Sequence, residues 1–116
     1  MLEDLCGRAP GARGAVLCDF EGEFVELVVR DPQITDYDMK ILGAQMAAAW
    51  LNLQNGANER GAGGAVEMRL GCSGGTLLCR GLRDGYYVVL LISQGSSTGQ
   101  AAFELREAAT RLSSEI

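Results

Sequence analysis

The stretch DYDMKILGAQMAAAWLNLQ, residues 36–54, decides the reading of this chain. It holds no proline and is rich in Ala, Leu and Met, which favour helix. At roughly 100° per residue, Met39, Leu42, Met46, Ala49 and Leu53 form one apolar stripe. Tyr37, Ile41, Ala44, Ala48 and Leu51 form a second on almost the opposite side. Asp38, Gln45 and Asn52 line a narrow polar strip between them, and Lys40 breaks the other gap. A surface helix of a small protein needs one apolar stripe. Two stripes imply two covers, one of them the chain's own sheet. A second copy of the chain is the expected other, with further packing inside the chain as the alternative. Met39, Leu42, Met46, Ala49 and Leu53, with Trp50, are the expected dimer interface. Thr35 is placed to cap the helix and Asp38 to favour its N-terminus. Asn55-Gly56 is the expected stop.

Upstream, Leu2 to Arg8 suits one or two helical turns, ended by Pro10-Gly11. Gly14–Phe20 and Glu23–Val29 are apolar, β-rich runs around Glu21-Gly22, the pattern of a hairpin. Such a turn sets Cys18 against Val25 and puts Val16, Cys18, Val25, Leu27 and Val29 on one apolar face. The other face, Leu17, Asp19, Phe24, Glu26 and Val28, is mixed. Asp31-Pro32 ends the second strand.

Downstream, Asn55 to Gly64 is glycine-rich and reads as a loop. Strands follow at Ala65–Cys72, Leu77–Leu82 and Tyr86–Ser93. Ser73-Gly74-Gly75-Thr76 and Asp84-Gly85 are the turns between them. Ser97 and Gln100 fit a capping box for a last helix, whose stripe is Ala101, Leu105, Ala108 and Leu112. Glu107 and Arg111 form an i,i+4 pair on its outer side. The whole chain, residues 1–116, therefore reads as one domain of the α/β (α+β) class. It holds a five-stranded antiparallel sheet between helices, in the order α-β-β-α-β-β-β-α.

Composition narrows the function. Apolar residues make up 47%, enough for a packed core, and the formal net charge is −5. Lys40 is the sole lysine and the arginines are scattered, which argues against nucleic acid. No run has the length of a membrane span, and the start, Met1-Leu2-Glu3-Asp4, is acidic, so a cytoplasmic protein is expected. The 4 cysteines, Cys6, Cys18, Cys72 and Cys79, form no C-x-x-C pair, and histidine is absent. Zinc sites of the usual spacing and every histidine-based catalytic set are thereby ruled out. Buried structural thiols are the expected role. Gly71–Gly75 leads into a strand and Gly95–Gly99 lacks a lysine, so neither resembles a phosphate loop. No cofactor, metal or catalytic residue is expected. One electrostatic oddity stands out. With Gly74-Gly75 as the turn, Arg69 lies across from Arg80, with Glu67 diagonal to them. A solvated face and a site for an acidic partner both fit such a set.

Several local patterns, taken in order, resemble the Roadblock/LC7 family over nearly the whole chain. They are Pro10–Leu17, the acidic-Gly turn Asp19-Phe20-Glu21-Gly22 and the Ala-rich helix Asp36–Leu53. Leu82-Arg83-Asp84-Gly85 leading into Tyr86–Ile92 and the last amphipathic helix complete the set. The first helix is shorter than in many members. The resemblance implies a homodimer in which two central helices pack together and the sheets join. It implies a non-catalytic adaptor, of the kind that serves dynein as a light chain, anchors signalling GTPases or regulates Ras-like small GTPases in bacteria. A bacterial Ras-like GTPase is the partner expected here. A small-molecule sensor with a cavity under Trp50, a light-chain adaptor unrelated to GTPases and a thiol redox protein are the other readings.

Overall fold

The computed structural model describes residues 1–116. Its elements run α1 (Leu2–Arg8), β1 (Ala12–Cys18), β2 (Phe24–Val29), α2 (Asp36–Glu59), β3 (Glu67–Cys72), β4 (Gly75–Gly81), β5 (Tyr87–Ser93) and α3 (Thr98–Ser113). The five strands form one antiparallel sheet in the order β2-β1-β5-β4-β3. α1 and α3 pack on one face and α2 on the other. The central strand β5 shows why both faces close. Val88, Leu90 and Ile92 point to α1 and α3, while Tyr87 and Val89 point to α2, and all five are buried. Alternation along a strand sends successive side chains to opposite faces, so a strand covered twice must be apolar throughout.

The local signals act largely as their chemistry dictates. Thr35 Oγ1 accepts from Asp38 N at 3.0 Å, and Asp38 Oδ2 accepts from Thr35 N at 2.9 Å, a full capping box. Ser97 Oγ accepts from Gln100 N at 3.2 Å, whereas the Gln100 side chain turns to Glu104. Arg111 does not pair with Glu107. It reaches across to Asp4 of α1 at 3.5 Å. Asp84 and Gly85 both take positive φ, 60° and 81°, and Tyr86 N donates to Arg83 O. That is the type I′ hairpin turn that Asp-Gly favours.

Four sequence expectations are corrected. α2 does not stop at Asn55-Gly56 but continues to Glu59, capped at Arg60. Gly56 only weakens a helix already stabilised by packing. The β1–β2 connection is longer than two residues. Asp19 N donates to Glu23 O and Gly22 N to Asp19 O, and the Asp19 carboxylate accepts from Glu21 N and Glu23 N. Cys18 consequently pairs with Phe24, not Val25, and a bulge lies next to it. The bulge moves Val25 off the α2 face. It lines a depression with Leu17 and Leu112, while Phe24 lies under Lys40 of α2. The β3–β4 turn is Ser73-Gly74, with Cys72 opposite Gly75. Gly75 belongs to the strand, paired with Cys72 and Ser93, and must be glycine because a Cβ there would collide with the Ile92 carbonyl oxygen of β5. That register sets Arg69 opposite Leu78 and Glu67 opposite Arg80, so the expected pairing of two arginines does not occur.

Candidate interaction surface

α2 meets its sheet through Met39, Gly43, Met46 and Trp50, all buried. Gly43 is the point of nearest approach. A Cβ there would stand 2.8 Å from Cys18 Sγ and 3.2 Å from Val16. Tyr87 Oη donates to the Gly43 carbonyl at 3.0 Å, in a buried position. The Cζ2 edge of Trp50 meets Gly81 of β4, 3.0 Å from where a Cβ would sit. Hydrophobic periodicity cannot register a glycine, so the true contact line is rotated from the stripe the sequence suggests. Three residues of the expected dimer interface, Met39, Met46 and Trp50, are thus taken by the chain's own core. Of the other three, Leu42 is half-buried and Ala49 and Leu53 are exposed.

Two apolar surfaces of α2 stay open. Leu42, Ala49 and Leu53 lie on one flank at roughly 100° per residue. Ile34, Leu42 and half-buried Leu91 of β5 line a hollow of about 340 Å³ along that side. Leu70 pairs with Leu77, whose side chain belongs to the α2 core, so Leu70 points to the same side of the sheet. It is 49% exposed on the edge strand β3. The second surface is the outer face, Tyr37, Ile41, Ala44, Ala48 and Leu51, which meets the first where Tyr37 and Ile41 border the same hollow. Tyr37 is 70% and Leu51 59% exposed. The sequence carried this stripe in full. It did not reveal Leu70, Leu91 or Phe24, because those depend on register and on the bulge.

The charged set on β3 and β4 is compensated from within. Glu67 accepts from Arg69 Nε at 3.1 Å and from Arg80 Nη1 at 3.3 Å. Two arginines share one carboxylate of the same chain, which removes the reason for expecting an acidic partner there. Trp50 borders a hollow of about 190 Å³ together with Ala65, Val66, Leu82 and Tyr86. Burial pushes the Cys6 thiol up to about 11 and Cys79 up to about 12, and raises Cys18 as well. These thiols are protonated at neutral pH, the opposite of what thiol chemistry needs. Cys72 alone is exposed. No cluster of three or more His, Cys, Asp or Glu side chains is placed to hold a metal. No helix is long and apolar enough to cross a membrane.

No protein-family model matches the sequence, and no curated protein does. Solved structures do match. An MglB solved in a tetrameric arrangement aligns with a TM-score of 0.87 at 20% identity, over 97% of this chain and 82% of that one. MglB of Myxococcus xanthus gives 0.84 at 16% identity, over 96% and 87%. A Roadblock/LC7 domain from Streptomyces avermitilis gives 0.81 at 15% identity, over 96% and 90%. The chain has the Roadblock/LC7 fold.

Proposed function

We propose that this chain, with its Roadblock/LC7 fold, is a non-catalytic, homodimeric adaptor that binds and regulates a Ras-like small GTPase in the bacterial cytoplasm. One observation carries the reading: α2 leaves two apolar surfaces open after its own sheet has been covered. Stable folds do not leave that much apolar helix in water without a use. The flank with Leu42, Ala49 and Leu53 adjoins Leu91, Leu70 and the unpaired edge of β3. A second copy related by a two-fold axis covers this flank, helix against helix, and gives β3 a partner for its free backbone groups. The outer face then remains for the GTPase. The likeness to MglB structures, one of them tetrameric, supports self-association of this fold.

The outer face also bounds what the adaptor does to its partner. Between Tyr37 and Leu51 it carries no arginine. An arginine inserted into the phosphate site is the usual way a regulatory protein contributes charge to GTP hydrolysis. Any acceleration here therefore comes from holding the GTPase's own groups in place. Calorimetric titration with a Ras-like GTPase of the same genome, loaded in turn with GDP and a GTP analogue, tests the reading. Binding in at least one state, lost in Ile41→Glu/Leu51→Glu, is the expected result. No binding in either state removes the GTPase as partner.

A further inference from the structure

The outer face of α2 does not end at the helix. The β1–β2 hairpin tip lies along its edge, with Gly22 so close that an added Cβ would stand 3.1 Å from Ala47 Cβ, 3.7 Å from the Oη of buried Tyr87 and 3.8 Å from Ala44 Cα. Lys40 Nζ sits 4.3 Å above the Phe24 ring, a cation–π contact that ties the strand to the helix. The tip is stiff. Two backbone bonds close it, and the Asp19 carboxylate accepts from Glu21 N at 2.9 Å and Glu23 N at 3.1 Å. What it presents is exposed: Phe20 at 67%, Phe24 at 43%, and both glutamates. Neither Glu21 nor Glu23 has an ion-pair partner, and nor does Asp36 at the start of the helix. Lys40 stands over Phe24, and the turn that abuts Phe20 carries Arg83 paired with Asp84.

We infer that the outer face of α2 and the Asp19–Phe24 tip form one docking surface, and that the protein seated on it has an apolar centre flanked by Lys and Arg. The inference rests on the adaptor reading and specifies the chemistry of the partner. A second copy of this chain is the wrong occupant for this surface. An isologous contact across this surface would bring the acidic tips of both copies into one interface, and like charges brought together oppose association. A basic rim on the partner completes the unpaired glutamates instead and steers encounter.

The test compares wild type with Glu21→Lys/Glu23→Lys, titrated with a Ras-like GTPase of the same genome in GDP and GTP-analogue states. Glu107→Lys/Glu115→Lys, on the α3 side, makes the same change in net charge and serves as the control. All four positions are exposed, so circular dichroism and light scattering should match wild type. We expect the tip variant to bind about tenfold more weakly at low salt, mostly through slower association, with the gap closing at high salt. The control stays within about twofold of wild type. Equal affinity of the tip variant and wild type overturns the inference and leaves the adaptor reading standing. Equal loss in both variants also overturns it, because net charge alone then explains the effect. Wild type that binds neither nucleotide state overturns both.

Discussion

At the scale of single residues, two glycines of one helix should respond in opposite directions to the same change. Gly56 has open space around it, with only the Arg60 guanidinium at 3.8 Å from where a Cβ would sit. Gly56→Ala should stabilise the fold by about 1 kcal/mol, the ordinary helix-propensity gain. Gly43→Ala brings the same propensity gain but drives a methyl group into Cys18 Sγ and Val16, where crowding costs about 1–3 kcal/mol. It should destabilise on balance, and less so in a Cys18→Ala background, where the sulfur is gone. Urea denaturation of these variants reads all of this; a stabilised Gly43→Ala would mean the helix sits farther from the sheet than described. The thiols give a pH dependence. Cys6 and Cys79 rise from an ordinary 9.0 to about 11 and about 12 on burial. A raised value means the folded state keeps the proton that the unfolded state loses. The stabilisation is complete below pH 9 and is lost as pH climbs through 11 and 12. Burial raises Tyr87 as well, which adds to the loss on the alkaline side. The urea midpoint should stay level from about pH 7 to 8 and fall above about 9, with a shallower fall in Cys6→Ala/Cys79→Ala. Titration of native protein with a chromogenic thiol reagent should find no more than one reactive thiol per chain, Cys72.

At the scale of elements, periodicity and turn chemistry carried most of the fold. The Asp84-Gly85 turn, the Thr35 cap and the apolar run of β5 each have one local solution, and each was legible. What escaped was set by contacts between distant segments. Gly75 reads as a turn residue until the Ile92 carbonyl is seen to need its missing side chain. Val25 reads as core until the bulge moves it to the other side. Gly43 reads as a gap in a stripe, whereas it marks the line of contact. That line decides how α2 must be probed. Met46 is 6% exposed and Leu53 56%. Met46→Glu should cost several kcal/mol by burying a charge in the chain's own core, and should unfold the protein at any concentration. Leu53→Glu should leave the circular dichroism spectrum intact and weaken self-association alone. If both variants unfolded alike, the flank would belong to the core rather than to an interface. Thr35→Ala, which removes one half of the capping box, should cost about 1 kcal/mol by thermal or urea unfolding.

At the scale of the whole molecule, the proposed function makes the chain a platform that a second copy completes. The candidate site was only partly legible from sequence. Both stripes of α2 could be read off the helical period, yet which one faces the sheet was settled by Gly43 and Trp50. The arginines of β3 and β4 stood out in the sequence for a pairing that the register abolishes, and Glu67 answers both. The proposed partner surface moves accordingly from the basic set on the sheet to the outer face of α2, and its expected complement changes sign from acidic to basic. All of this depends on the flank being covered, since an isolated chain would leave Leu53, Leu70 and the β3 edge in water beside the outer face. The most direct measurement is the mass in solution by size-exclusion chromatography with light scattering, at tens of micromolar chain. The wild type should give twice the 12.3 kDa of one chain, falling towards a single chain in Leu53→Glu. A wild type that elutes as a folded 12.3 kDa monomer would contradict the dimeric platform.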